Sequence, residues 1–139
     1  MDFTGGTLQL TFADGEQAQF TPAQLHFHSP SEHTVDGVHY DLEMHIVHTY
    51  MDGSLGGVLG IFFDVEVGVE NPQANEFINS LRFADAVPAP GFELGQVDLA
   101  SYLSTVPMEK FWSYNGSLTT PLCTEGIKWT VLDTVQPLS

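Results

Sequence analysis

The sequence is poor in cysteine, in positive charge and in long apolar runs. One cysteine, Cys123, stands among 139 residues. No disulfide can close within the chain, and no cysteine-rich zinc site can form. Cys123 is either a small buried thiol or one half of a bridge to a thiol outside this sequence. Three basic residues, Arg82, Lys110 and Lys128, stand against 18 acidic ones, for a net charge of −15. Such a chain repels phosphate backbones and anionic membranes, which excludes nucleic acid as an expected partner. Acids such as Asp52, Asp64, Glu66 and Glu70 are scattered rather than clustered. They read as a solvated surface that keeps the protein in solution, ahead of adaptation to salt or a basic partner. No apolar run reaches the roughly 18 residues of a membrane-spanning helix, so membrane insertion is not expected. No charged segment followed by an apolar stretch opens the chain, and no targeting signal is visible in it. Internal repeats, low-complexity segments and linkers are missing too, so residues 1–139 read as a single domain with one modest core.

What is present reads as β-rich, mainly β with one or two short helices. Eight prolines and 13 glycines imply many turns. Thr7 to Phe12 alternates with period two, as a half-buried strand does. Gln24-Leu25-His26-Phe27-His28 alternates again and Ser29-Pro30-Ser31 breaks it. Asp14-Gly15 and Asp36-Gly37 are turn signals. Val38 to His48 reads as one long strand, Gly53 to Gly57 as a loop, and Val58 to Val67 as a strand buried on both faces. Asn71-Pro72 places an N-cap and a first-turn proline at the head of a helix. Ala74, Phe77, Ile78 and Leu81 give that helix an apolar stripe. Residues 84–95 are Pro/Gly-rich and loop-like, and Ile127 to Leu132 alternates as a strand.

All six histidines fall between residues 26 and 48. His26 and His28 are two apart, so on a strand they share a face at a spacing of about 7 Å. Glu43 and His45 are two apart on the following strand. If the two strands pair antiparallel, Gln24, His26 and His28 share a face with Glu43 and His45. Three neutral imidazoles with a fourth place open suit catalytic rather than structural zinc. Ligand imidazoles also need acceptors that fix their tautomers, and Gln24 and Glu43 are polar groups in phase with them. A glutamate pointing into a β-core needs such a partner. His48 is out of phase with His45 and should face the other way. His33, His39 and His48 are read as structural.

Gln24-Leu25-His26-Phe27-His28-Ser29-Pro30-Ser31-Glu32-His33-Thr34-Val35-Asp36-Gly37, followed by Glu43-Met44-His45-Ile46-Val47-His48, resembles the signature of the α-type carbonic anhydrases. The short connection through Ser29–His33 is similar to bacterial, plant and algal members. Tyr114-Asn115-Gly116-Ser117-Leu118-Thr119-Thr120-Pro121 resembles the family's second signature, Trp129 falls at its usual distance beyond, and Val58 to Phe62 resembles the strand between. The resemblance implies a central twisted, mostly antiparallel sheet and a zinc lyase that reversibly hydrates carbon dioxide to bicarbonate through zinc-bound hydroxide. It implies His26, His28 and His45 as Zn2+ ligands, with Gln24 and Glu43 orienting them. Thr119 would accept from the hydroxide and donate to Glu32. Val47, Val58, Leu118, Thr120 and Trp129 would line the substrate pocket.

The departures from the family carry expectations of their own. Members run to about twice this length, so the chain is expected to be the central portion, with an incomplete sheet and a partner chain as one way of completing it. Gly6 stands where a proton-shuttling histidine is often found, which implies slower or buffer-dependent turnover. Asn115 and Leu122 replace two prolines near the site. Cys123 matches a cysteine that is paired in secreted members, which implies an extracytoplasmic setting: secreted, periplasmic or in an organelle lumen. The alternative function is a non-catalytic or weakly active carbonic-anhydrase-like subunit or binding module within a larger assembly.

Overall fold

A computed structural model describes residues 7–11, 15, 17–65, 69, 71–81 and 98–139. Among the described residues, nine strands and two helices follow in the order β1 Leu8–Thr11, β2 Gln17–His28, β3 Thr34–Val35, β4 Val38–His39, β5 Leu42–Thr49, β6 Leu55–Val65, α1 Pro72–Ser80, α2 Leu99–Leu103, β7 Phe111–Ser117, β8 Glu125–Leu132 and β9 Gln136–Leu138. One mixed sheet runs in the order β1-β2-β5-β6-β8-β7, with β9 also joined to β6. Most pairings are antiparallel; β8 and β9 lie parallel to β6.

The alternation of β2, β5 and β6 sorts side chains onto two faces. One face packs Leu25, Met44, Ile46, Leu59, Ile61 and Phe63 against Ala74, Phe77 and Leu81 of the α1 region and Tyr102 of α2. The other packs Val47, Val58, Phe62, Ile127, Trp129 and Val131, with Leu118 against them. Residues 43–48 of β5 are all buried, so both of its faces are covered. The α1 helix starts as its residue types dictate: Asn71 Oδ1 accepts from the Ala74 N–H at 3.1 Å, and Pro72 fills the first turn.

Several expectations are corrected. Val38 to His48 is not one strand: β4 ends at His39 and β5 starts at Leu42. The backbone between them turns to bond elsewhere, with the Ser31 N–H donating to the Tyr40 carbonyl at 2.9 Å and the Tyr40 N–H to Ser31 Oγ at 3.0 Å. Gly56 and Gly57 lie in β6 rather than in a loop, which confines the turn to the stretch before Leu55. The second of the one or two short helices expected is α2, which no motif locates in the sequence; it follows Asp98, whose Oδ1 accepts from the Ser101 N–H at 2.9 Å. The strand expected near residue 24 begins at Gln17, because its first half pairs with β1 and its second half with β5 across a bulge beside Pro22. Gly6, Phe12, Asp14, Glu66, Glu70, Arg82 and the stretch 84–95 lie outside the described residues.

Candidate metal centre

The antiparallel register of β2 and β5 sets His26 opposite His45 and His28 opposite Glu43. Period-two alternation then turns all four side chains to one face. The imidazole centroids of His26, His28 and His45 are separated by 5.0, 5.2 and 4.6 Å. One nitrogen from each ring lies within 4.8 Å of the others, the spacing of donors around a single cation. His26 Nδ1 and His28 Nε2 are buried and have no hydrogen-bond partner. Orphaned buried ring nitrogens are costly unless a ligand takes their lone pairs. Burial, reinforced by the neighbouring His45 and His28, holds His26 down to about 4 from 6.5, so it is neutral at physiological pH, as a ligand must be.

Glu43 is fully buried and serves the third imidazole. Its Oε1 accepts from His45 Nε2 at 2.8 Å and from His33 Nδ1 at 2.6 Å, and its Oε2 accepts from the His33 N–H at 2.9 Å. Burial alone would push this carboxyl up. The hydrogen bonds from the two imidazoles and the His33 backbone outweigh burial and hold it well below the usual carboxylate range. His45 is thereby left with Nδ1 for a cation. A second metal-like grouping, His33, Glu43 and His45, has its donor atoms equally close. It is a different kind of cluster, because protons already fill the space between its atoms.

Thr119 sits in the β7–β8 connection, and its Oγ1 lies 3.1 Å from both carboxylate oxygens of Glu32. Glu32 Oε1 is also 3.5 Å from His28 Nδ1. Trp129 Nε1 donates to the Ser117 carbonyl at 3.0 Å, and its ring stands 4.9 Å from that of His45. Val47, Val58, Leu118 and Trp129 therefore gather in one apolar cluster beside the imidazoles. Thr120 is exposed, and its carbonyl accepts from the Cys123 N–H at 2.7 Å. Gln24 is exposed on the same strand as His26 and His28. His48 faces the opposite side, near Phe20, as its phase requires.

Two participants escaped the reading of the residues. His33, expected to be structural, is bonded to Glu43, and its Nε2 lies 2.6 Å from the Tyr114 hydroxyl. The ring of Tyr114 leaves no room for a side chain at Gly116, where a Cβ would stand 2.8 Å from Tyr114 Cε2 and 3.0 Å from Trp129 Cδ1.

Three histidines converging from two paired strands, backed by a buried carboxylate, form a cluster able to hold a divalent metal in a β-sheet protein. The chain belongs to the eukaryotic-type carbonic anhydrase family, whose sequence profile matches residues 2–139. It is 39% identical over 123 residues to alpha carbonic anhydrase 4 of Arabidopsis thaliana, covering 88% of this chain and 43% of that protein. It is 38% identical over 129 residues to a carbonic anhydrase of Klebsiella pneumoniae, covering 90% of this chain and 49% of the relative. Among solved structures, the α-carbonic anhydrase of Thermovibrio ammonificans with the inhibitor sulfanilamide superposes with a TM-score of 0.68 at 35% identity, covering 99% of this chain and 60% of the other. The chain thus spans about half the length of the curated relatives it matches.

Proposed function

We propose that this chain carries the zinc site of a carbonic anhydrase, the reaction being reversible hydration of carbon dioxide to bicarbonate. The observation that carries this reading is the triad His26, His28 and His45, with two buried nitrogens that no protein group satisfies. These three residues hold Zn2+, and neutral imidazoles leave its positive charge undiminished. Bound zinc supplies a nucleophile near neutral pH by lowering the pKa of water from 15.7 to about 7. Glu43 fixes His45 in the tautomer that offers Nδ1. Thr119 donates its hydroxyl hydrogen to Glu32, which as a carboxylate can only accept. The Thr119 oxygen is then left as an acceptor toward the site and aims the O–H of the attacking group. Carbon dioxide has no charge and no dipole, and the Val47, Val58, Leu118 and Trp129 surface suits it. Thr120 and Gln24 take supporting places, at the bicarbonate product and behind the ligands, and the setting is extracytoplasmic.

The exposed aromatic edge strand β7, with Phe111, Trp112 and Tyr114 each more than two-fifths exposed, favours a second reading. In it the chain is a weakly active or non-catalytic unit within a larger assembly. Metal analysis and stopped-flow hydration of carbon dioxide separate the two. The enzyme reading expects one zinc per chain and sulfonamide-sensitive hydration. His45→Ala should weaken zinc binding by more than about a hundredfold, and Thr119→Ala should slow turnover by about a hundredfold. Zinc uptake without hydration supports the second reading, and a wild-type chain that takes up no zinc refutes the first.

A further inference from the structure

The buried carboxylate of Glu43 accepts three hydrogen bonds. It can only accept, so every group bonded to it must carry a proton. The proton of His45 is therefore on Nε2, and that of His33 is on Nδ1. The remaining nitrogen of His33, Nε2, lies 2.6 Å from the Tyr114 hydroxyl. A phenol that donates there gives that nitrogen a partner and braces the ring from its far side. Without that donor the ring is held by Glu43 alone, through the 2.6 Å bond from His33 Nδ1 to Oε1, and can tilt about it.

Tyr114 is held where it can donate. Its ring lies parallel to Trp129, with centroids 6.1 Å apart and planes 5° from parallel. Gly116 keeps that space open, since any side chain there would collide with both rings. Trp129 is pinned by its bond to Ser117 and stands 5.0 Å from His33 and 4.9 Å from His45. The link thus runs from the edge strand β7, through a loop histidine, to the central strand β5.

We propose that Tyr114 and His33 are positioning residues that fix the tautomer and ring orientation of His45 through Glu43, and so set how long the site retains its metal. This rests on His45 being a ligand. The test combines zinc release from the loaded chain to an excess of chelator with nitrogen-resolved NMR of the imidazoles in the metal-free chain. Tyr114→Phe keeps the stacked ring and removes only the donor. It should speed zinc release by about three- to tenfold, one link weaker than the tenfold or more typical of groups bonded directly to a ligand. The same variant should shift the His33 Nε2 resonance, the nitrogen that loses its hydrogen-bond donor. His33→Asn keeps an N–H for Glu43 and cuts the link to Tyr114. Adding Tyr114→Phe to it should change release by less than about twofold, because the shared path is already broken. Equal release from Tyr114→Phe and wild type, an unchanged His33 Nε2 resonance, or additive effects in the double variant overturn the proposal. A wild-type chain that binds no zinc, or holds it as well after His45→Ala, overturns the ligand reading and the proposal with it.

Discussion

The two faces of strand β5 are equally buried and chemically opposite. Met44 and Ile46 project toward the helices and are fully covered. Glu43 and His45, their neighbours in the chain, are also covered, on the face that carries the imidazoles. On the helix face, contact area and volume determine stability, and a substitution is felt in proportion to the atoms it removes. On the imidazole face each side chain is tied to a named atom, and loss of one bond strands a group that water cannot reach. One strand can serve both because alternation separates the two sets by the thickness of the sheet. A clean separation means that stability and metal retention can be perturbed independently.

The largest expected effect tests the helix face. Phe63 is fully buried, stacks on Tyr102 at 6.2 Å and meets Phe27 at 6.5 Å. Phe63→Ala should cost about 3–5 kcal/mol in urea unfolding. Zinc affinity, measured at low temperature on the folded fraction, should stay within about threefold of wild type. A parallel collapse of affinity would show that the faces are coupled through the sheet.

A somewhat smaller effect comes from the polar side chain that sits on the helix-facing row of β5. His48 is buried, its Nδ1 lies 2.8 Å from the Ile46 carbonyl, and burial lowers it to about 4 from 6.5. The unfolded chain therefore binds the His48 proton before the folded chain does. Stability from this group is complete above pH 6.5 and is lost as pH falls toward 4. Between pH 7 and pH 4.5 the loss from His48 alone should be about 2–3 kcal/mol in the metal-free chain, on top of a loss in the same window from His26, which burial lowers likewise. His48→Gln should remove the His48 share of that difference in paired urea titrations and leave the share of His26, and an unchanged pH dependence would count against a neutral buried His48.

Much of this was legible in the residues, and the reason is periodicity. Strands that alternate declare their faces, so the phase of His26, His28, Glu43 and His45 could be read before any pairing was seen. The α1 helix was legible from its cap and stripe. What alternation does not reach was missed. His33 lies in a connection, where no period assigns a direction. Tyr114 lies on a strand exposed along residues 111–115, where neither face contrasts with the other. The break at Tyr40 and Asp41 is made by side-chain and backbone acceptors: Ser31 Oγ takes the Tyr40 N–H, and Asp41 Oδ2 takes the Val65 N–H at 2.9 Å. Hydropathy does not register such acceptors. The five-residue α2 is too short for a stripe to show, and its Asp98 cap follows a Pro/Gly-rich stretch that masks it.

The smallest expected effect on stability sharpens the comparison most, because it should separate the two observables completely. Gly60 pairs with His45 across β5 and β6. A Cβ at Gly60 would stand 3.1 Å from Glu43 Oε1 and 3.4 Å from Val131 Cγ2. These contacts are tight but do not overlap outright, so a shift of a few tenths of an ångström relieves them. Alanine also restricts the unfolded chain, which offsets the crowding by about 0.4–1 kcal/mol. Gly60→Ala should therefore change unfolding stability by less than about 1 kcal/mol. The group that must move, however, is the carboxylate oxygen shared by His33 and His45. Its displacement loosens both bonds, and zinc release should quicken severalfold, toward the tenfold expected when a ligand's hydrogen-bond partner is disturbed. If Val131 yields instead, release stays at the wild-type rate, and the adjustment has been absorbed by apolar packing rather than by the hydrogen bonds behind the metal.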